Sequence, residues 1–299
     1  SWSIATFTTF LACFVKLSTK SSSAAKLFNA VHKAQVSWNR IRPLLGSVKE
    51  GKDGKEWGSG DLEVRDVIFA YPDGKKVLEH VSFSAKPGEI IGVTGPVACG
   101  KSTLGKLFLC EYPYEGAVYF AGKELQQLKE ADRKGMVAYL GHDPELFHDS
   151  VRDNVLLGDA KDLKTYLKAV CIDREVAEME EGEDTLIGNG GVRLSGGQAQ
   201  RVALARTLCH KKPLLVLDDP FSALDKSTEK EVFSNVRAMT HDSIVLLLSH
   251  RLYLFPQMDQ VIWMDEGKTT VGTHEELLQK VPAYAALFTT QEGEDSHEA

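Results

Sequence analysis

The stretch EIIGVTGPVACGKSTLGKLFLC, residues 89–110, leaves this chain few folds to choose from. Ile90, Ile91 and Val93 read as a buried strand, a turn punctuated by glycine follows, and Leu104, Leu107 and Phe108 then fall on one face of a helix. Strand, tight loop and helix frame the pattern GxxxxGKS, from Gly95 through Gly100 and Lys101 to Ser102. Glycine lets the backbone turn successive N–H groups inward, and the new helix directs the positive end of its dipole at the same point, which suits the loop to phosphate. Lys101 is expected to reach the β- and γ-phosphates of a nucleotide, and the Ser102 hydroxyl to hold Mg2+.

A chain of 299 residues has room for one large domain and an appendage. Its net charge of -7, with no face dominated by Lys and Arg, argues against nucleic acid as the main partner. Cys13, Cys99, Cys110, Cys171 and Cys209 are scattered and form no CxxC, which points to reduced thiols and not to a disulfide frame or a zinc site.

Taken in order, residues 2–15, WSIATFTTFLACFV, are apolar but fall short of the roughly 20 residues that cross a bilayer, and they read as the tail of a membrane span; a buried soluble helix is the competing reading. No basic stretch precedes them, which disfavours a signal peptide. Lys16, Lys20, Lys26, Lys33, Arg40 and Arg42 follow without any Asp or Glu, as in a segment just inside a cytoplasmic face. Leu27, Val31, Ala34, Trp38, Ile41 and Leu45 step by four and three along one helix face, and Pro43 helps to end that helix. Residues 46–60 form a polar, glycine-rich linker. The expected division is a helix end over 1–45, the linker over 46–60, a globular domain over 61–290 and an acidic, frayed tail over 291–299.

Strands are expected over 62–71, 77–85, 117–121, 214–217 and 244–248, with a hairpin of 260–264 and 269–273 closed at Asp265-Glu266-Gly267. From about Ser150 to His210 the pattern is mostly helical. The run 214–217 delivers Asp218 and Asp219 to a strand's C-terminal end, where open α/β sheets bind ligands. Asp218 suits the Mg2+ shell, and Asp219 suits orienting or deprotonating an attacking water. Leu194, Ser195, Gly196, Gly197 and Gln198 precede a helix and form a second anion-binding helix start, without lysine or metal ligand. Its simplest use is to close over a nucleotide held by another chain.

With GPVACGKST (Walker A), LSGGQ (signature), LLVLDD (Walker B), SALD from Ser222 to Asp225 (D-loop) and the switch histidine His250 in that order, the sequence resembles the nucleotide-binding domain of an exporter-type ABC transporter, joined to the end of its last transmembrane helix. The resemblance implies an α/β P-loop NTPase of ABC ATPase type, with a parallel core, an antiparallel β subdomain and a helical signature subdomain. It also implies ATP and Mg2+ as cofactors and an ATPase domain on the cytoplasmic face of the plasma or inner membrane. Transmembrane helices and a second half-transporter subunit, a heterodimer before a homodimer, are the implied partners. Carried residue by residue, Gly95, Pro96, Val97, Ala98, Cys99, Gly100, Lys101, Ser102 and Thr103 would cradle the triphosphate, Tyr71 would stack on adenine, and His250 would contact the γ-phosphate. Ser102 and Asp218 would hold the metal.

Three departures stand out. Asp219 occupies the place of the family's catalytic glutamate, and a carboxylate retracted by one methylene is misplaced enough to cost about 10²-fold in rate. His142 replaces the Q-loop glutamine, and Asn189 stands where exporters place a glutamate before the signature. The expectation is a site that binds ATP and hydrolyses it poorly, beside an intact signature that serves a partner. The alternatives are a regulatory module that never turns over and a homodimeric ATPase. A DNA-repair ABC ATPase is disfavoured for want of room for a coiled coil, and a P-loop kinase by the presence of LSGGQ. Cys99, in the loop before a helix start, is expected to be a reactive thiol that ATP protects from alkylation.

Overall fold

The computed structural model describes residues 3–41, 57–72, 74, 76–188 and 191–295. Arg42, Pro43, Leu45, most of the expected linker, Asn189 and the last four residues lie outside them. The chain forms two compact units, Ser1–Lys52 and Asp53–Ala299.

In the first unit, Ile4–Ile41 is a single 38-residue helix, α1. Phe7, Phe10, Phe14, Val31 and Trp38 are all exposed on it. Among the described residues no helix is long and apolar enough to cross a membrane.

The second unit is built on two sheets. Leu62–Ala70 (β1), Lys76–Ala85 (β2), Glu115–Phe120 (β4) and Lys123–Glu124 (β5) make an antiparallel sheet in the order β2-β1-β4-β5. Ile90–Thr94 (β3), Val137–Leu140 (β6), Leu214–Asp218 (β9), Ile244–Leu248 (β10), Gln260–Asp265 (β11) and Lys268–Gly272 (β12) make the other, in the order β12-β11-β3-β10-β9-β6. All its pairings are parallel except the β11–β12 hairpin. Every residue of β3, β9 and β10 is buried, as parallel strands covered on both faces require, and that explains their unbroken apolar sequences. In β1, buried residues are interspersed with exposed ones, as in a sheet with one wet face.

Strand alternation divides the core in two. Leu214, Val216, Ile244, Leu246 and Leu248 pack on one face of the parallel sheet, with Val64, Leu78 and Phe120 of the antiparallel sheet. Leu215, Leu217, Val245 and Leu247 pack on the other, with Val155, Leu167, Val202 and Phe233 from the helices. The helices of this unit are Lys101–Leu107 (α2), Glu130–Met136 (α3), Val151–Leu156 (α4), Leu163–Ala169 (α5), Asp173–Ala177 (α6), Gly196–Cys209 (α7), Lys226–Met239 (α8), His274–Lys280 (α9) and Pro282–Asp295 (α10); Leu104 and Leu107 of α2 and Met136 of α3 pack on the first face, and α4 to α7 form the helical part. Several of these helices are capped by side chains: at α4 Ser150 accepts from the Asp153 amide, and at α8 Asp225 accepts from those of Ser227 and Thr228.

The structure adds to the sequence reading in several places. Strand β6 was not expected, and the helical stretch contains a short strand, Leu186–Ile187 (β8), paired with Asp149–Ser150 (β7). The acidic end, expected to fray, is helical as far as Asp295.

Candidate functional site

The parallel strands end in register. Leu248 pairs with both Val93 and Asp218, and Leu140 pairs with Leu217, so the four segments that follow β3, β6, β9 and β10 converge at one edge. Gly95 to Gly100 follow β3. The φ of Gly95 is 154° and that of Gly100 is 105°, and a Cβ on Gly95 would lie 2.1 Å from the Met264 carbonyl oxygen. Only glycine fits that approach. Pro96, Val97 and Ala98 are exposed along the loop, and Val97 is 86% accessible. Gly100 caps α2, which places Ser102 and Thr103 in its first turn. Lys101 is buried, with its ammonium donating to the carbonyls of Gly95 at 3.0 Å and Pro96 at 3.1 Å. The lysine thus closes the loop over its own backbone carbonyls.

Lys101, Ser102, His142, Asp218, Asp219, Ser249 and His250 line one cavity at this edge. Asp218 is 7% exposed and its Oδ2 accepts a hydrogen bond from the Tyr139 hydroxyl at 3.0 Å. Burial, and then the neighbouring Asp218 carboxylate, push the Tyr139 phenol up, so it stays a donor. Asp219 adopts a left-handed backbone, φ 50°, which aspartate tolerates better than most residues. Its amide donates to the Leu248 carbonyl at 2.8 Å, which fixes the turn. Its Oδ2 lies 3.7 Å from His142 Nδ1. Burial raises the Asp219 carboxyl above the ordinary 3.8, against the pull of His250, His142 and Arg251. His250 stands at the exposed rim. Desolvation, and then the Lys101 charge, hold its imidazole below 6.5, against Asp219 and Asp218.

Three residues that the sequence reading passed over hold this arrangement. The Arg251 guanidinium donates to the carbonyls of Ser222 and Leu224, in the loop before α8, and to Glu229 Oε2, each at 2.8 Å. Glu229 is fully buried, and burial raises its carboxyl, opposed by Tyr253 and Arg251. Gln291 of α10 donates to the His250 carbonyl at 2.7 Å and accepts from the Leu252 amide at 2.8 Å. Arg251 was visible in the SHR sequence without its partners. Glu229 and Gln291 carry no local signal, since each acts across 22 residues or more.

The other expected groups lie apart from this cavity. Tyr71 is half-buried against Phe69, with ring centroids 4.9 Å apart, and its hydroxyl is 3.2 Å from Thr103 Oγ1. It therefore stands beside the phosphate loop, where a base could meet it. Ser195 caps α7 in a reciprocal capping box with Gln198. A Cβ on Gly197 would lie 2.8 Å from the Ala223 carbonyl oxygen, so the signature glycine is packed on the loop before α8. Leu194 lines a separate hollow with Leu146 and Val192, and none of Leu194 to Gln198 lines the Lys101 cavity. Cys99, expected to be a reactive thiol, is 9% exposed, its sulfur lies 3.7 Å from the Lys101 ammonium, and it packs with the apolar core.

The residues fit a nucleotide triphosphate with its metal. The loop is shaped by positions that exclude any Cβ, a buried lysine ends inside it, and the cavity's hydroxyl and carboxylate oxygens are the hard donors that Mg2+ prefers.

Residues 78–222 match the sequence profile of the family described as ABC transporter. The Escherichia coli (strain K12) multidrug resistance-like ATP-binding protein MdlA is 32% identical over 278 residues, covering 90% of this chain and 47% of that relative. The ATP-dependent lipid A-core flippase of Burkholderia pseudomallei (strain 1710b) is 35% identical over 246 residues, covering 80% of this chain and 41% of that relative. The chain thus spans about half the length of the curated relatives it matches. A solved structure of a bacterial Atm1-family ABC exporter with ATP bound superposes with a TM-score of 0.79 at 24% identity, over 93% of this chain and 51% of that one, and shows the same fold.

Proposed function

From the premise that this chain contains the nucleotide-binding domain of an ABC transporter, we propose that it binds ATP and that dimerisation on ATP drives export across a membrane, with its own hydrolytic site slow. The observation that carries this reading is the convergence of Lys101, Ser102, Asp218, Asp219, His142 and His250 on one cavity from which the signature residues are absent. Such a chain holds the phosphate machinery for one nucleotide and offers Ser195 to Gln198 to another, which requires a second subunit.

Lys101, the loop amides and His250 would bind the triphosphate, and Tyr71 would face the base. Ser102 and Asp218 would hold Mg2+, which neutralises phosphate charge and polarises the leaving group when bound. Asp219 would orient the attacking water from one methylene too far back, with His142 beside it in place of an amide. This supports slow turnover at the chain's own site and favours a heterodimer whose partner carries the glutamate. The same two residues favour the second reading, a regulatory module that holds ATP without hydrolysing it.

Single-turnover ATP hydrolysis, measured beside ATP binding on wild type and Asp219→Glu, tests the proposal. The expected result is tight binding in both and a rate rise on the order of 10²-fold in the glutamate variant. Equal, brisk hydrolysis by both would leave a homodimeric ATPase as the better account.

A further inference from the structure

We infer that Tyr139 is a positioning residue for Asp218, its hydroxyl holding one carboxylate oxygen so that the other is presented to the divalent cation of a bound nucleotide. The inference rests on the ATP-site reading above. Tyr139 sits on β6, next to β9, and pairs with Val216, two residues before Asp218. Among the described residues its hydroxyl, 3.0 Å from Oδ2, is the hydrogen-bond donor to the Asp218 carboxylate.

The ring is held in place by its other neighbour. A Cβ on Gly105 would come within 3.3 Å of Tyr139 Cε2 and 2.9 Å of Val216 Cγ1, so α2 packs flush against the ring and strand β9 only because residue 105 is glycine. Helix α2 also carries Ser102, the other residue that would hold the metal. One phenol therefore touches both elements that supply the metal's oxygen donors. A carboxylate fixed by an outer hydrogen bond is already oriented when the cation arrives, and removing such partners commonly lowers metal affinity 10- to 100-fold. An aliphatic residue on β6 would fill the core but leave Asp218 free to turn.

The test is a Mg2+ titration of the binding of trinitrophenyl-ATP to the full chain, comparing wild type with Tyr139→Phe, which keeps the ring and removes the donor. The expected result is a rise of at least about 10-fold in half-saturating Mg2+, with nucleotide binding in EDTA and the thermal midpoint unchanged. Tyr139→Leu asks the same question should the phenylalanine variant not fold, and Tyr139→His, which restores a donor, is expected to bring the Mg2+ curve back toward wild type. Superimposable Mg2+ curves for wild type and Tyr139→Phe, with both proteins binding nucleotide, would overturn the role of Tyr139. Failure of wild type to bind nucleotide at saturating Mg2+ would instead overturn the ATP-site reading itself.

Discussion

His250 has two aspartates and a lysine for neighbours, and its titration records which of them prevails. Burial and Lys101 hold its pKa below 6.5, while Asp219 and Asp218 pull it up. Lys101→Met should therefore raise the midpoint read by imidazole NMR, and Asp219→Asn should lower it further. The sign for stability follows: between the depressed folded value and 6.5 the unfolded chain binds more protons, so stability is lost as pH falls below about 6.5. Urea midpoints at neutral and mildly acidic pH, compared with those of His250→Gln, check this. The phosphate loop and both aspartates are legible in the sequence because spacing on a strand, loop and helix dictates where they point, whereas His250 comes only from the resemblance to a family. The sequence could not reveal Tyr139, because the short strand that carries it has no legible pattern and its reach to Asp218 exists only once β6 lies beside β9.

At the scale of elements, Arg251 joins the end of β10 to α8 and to the loop before it. Arg251→Ala would strand the fully buried Glu229 carboxylate without its cation, and breaking a buried pair in this way typically costs about 3 kcal/mol. The expected outcome is a lower urea midpoint, partly restored in the Arg251→Ala/Glu229→Gln double variant. Strands β9 and β10 could be read from the sequence as unbroken apolar runs. Strand β6 could not, being four residues long with a tyrosine inside and paired at the sheet's edge. The same holds for β7 and β8, two residues each, whose pairing is a tertiary event with no periodicity to betray it.

As a whole, the molecule comprises a long helix whose described apolar side chains are exposed and a unit with its own two-sided core. Residues 53–299 contain every residue assigned here to nucleotide and metal. Produced without residues 1–52, they are expected to bind ATP with the affinity of the full chain, measured by calorimetry; a loss of more than about 10-fold, which is 1.4 kcal/mol, would place part of the site's support in the first unit. Gln291 adds a consequence at this scale. Because one side chain grips both the carbonyl of His250 and the amide of Leu252, the turn after β10 cannot change its pitch without breaking a bond to α10 or dragging that helix along. Helix α10 is thereby a handle on the nucleotide cavity, and whatever grasps it from outside also holds the histidine within.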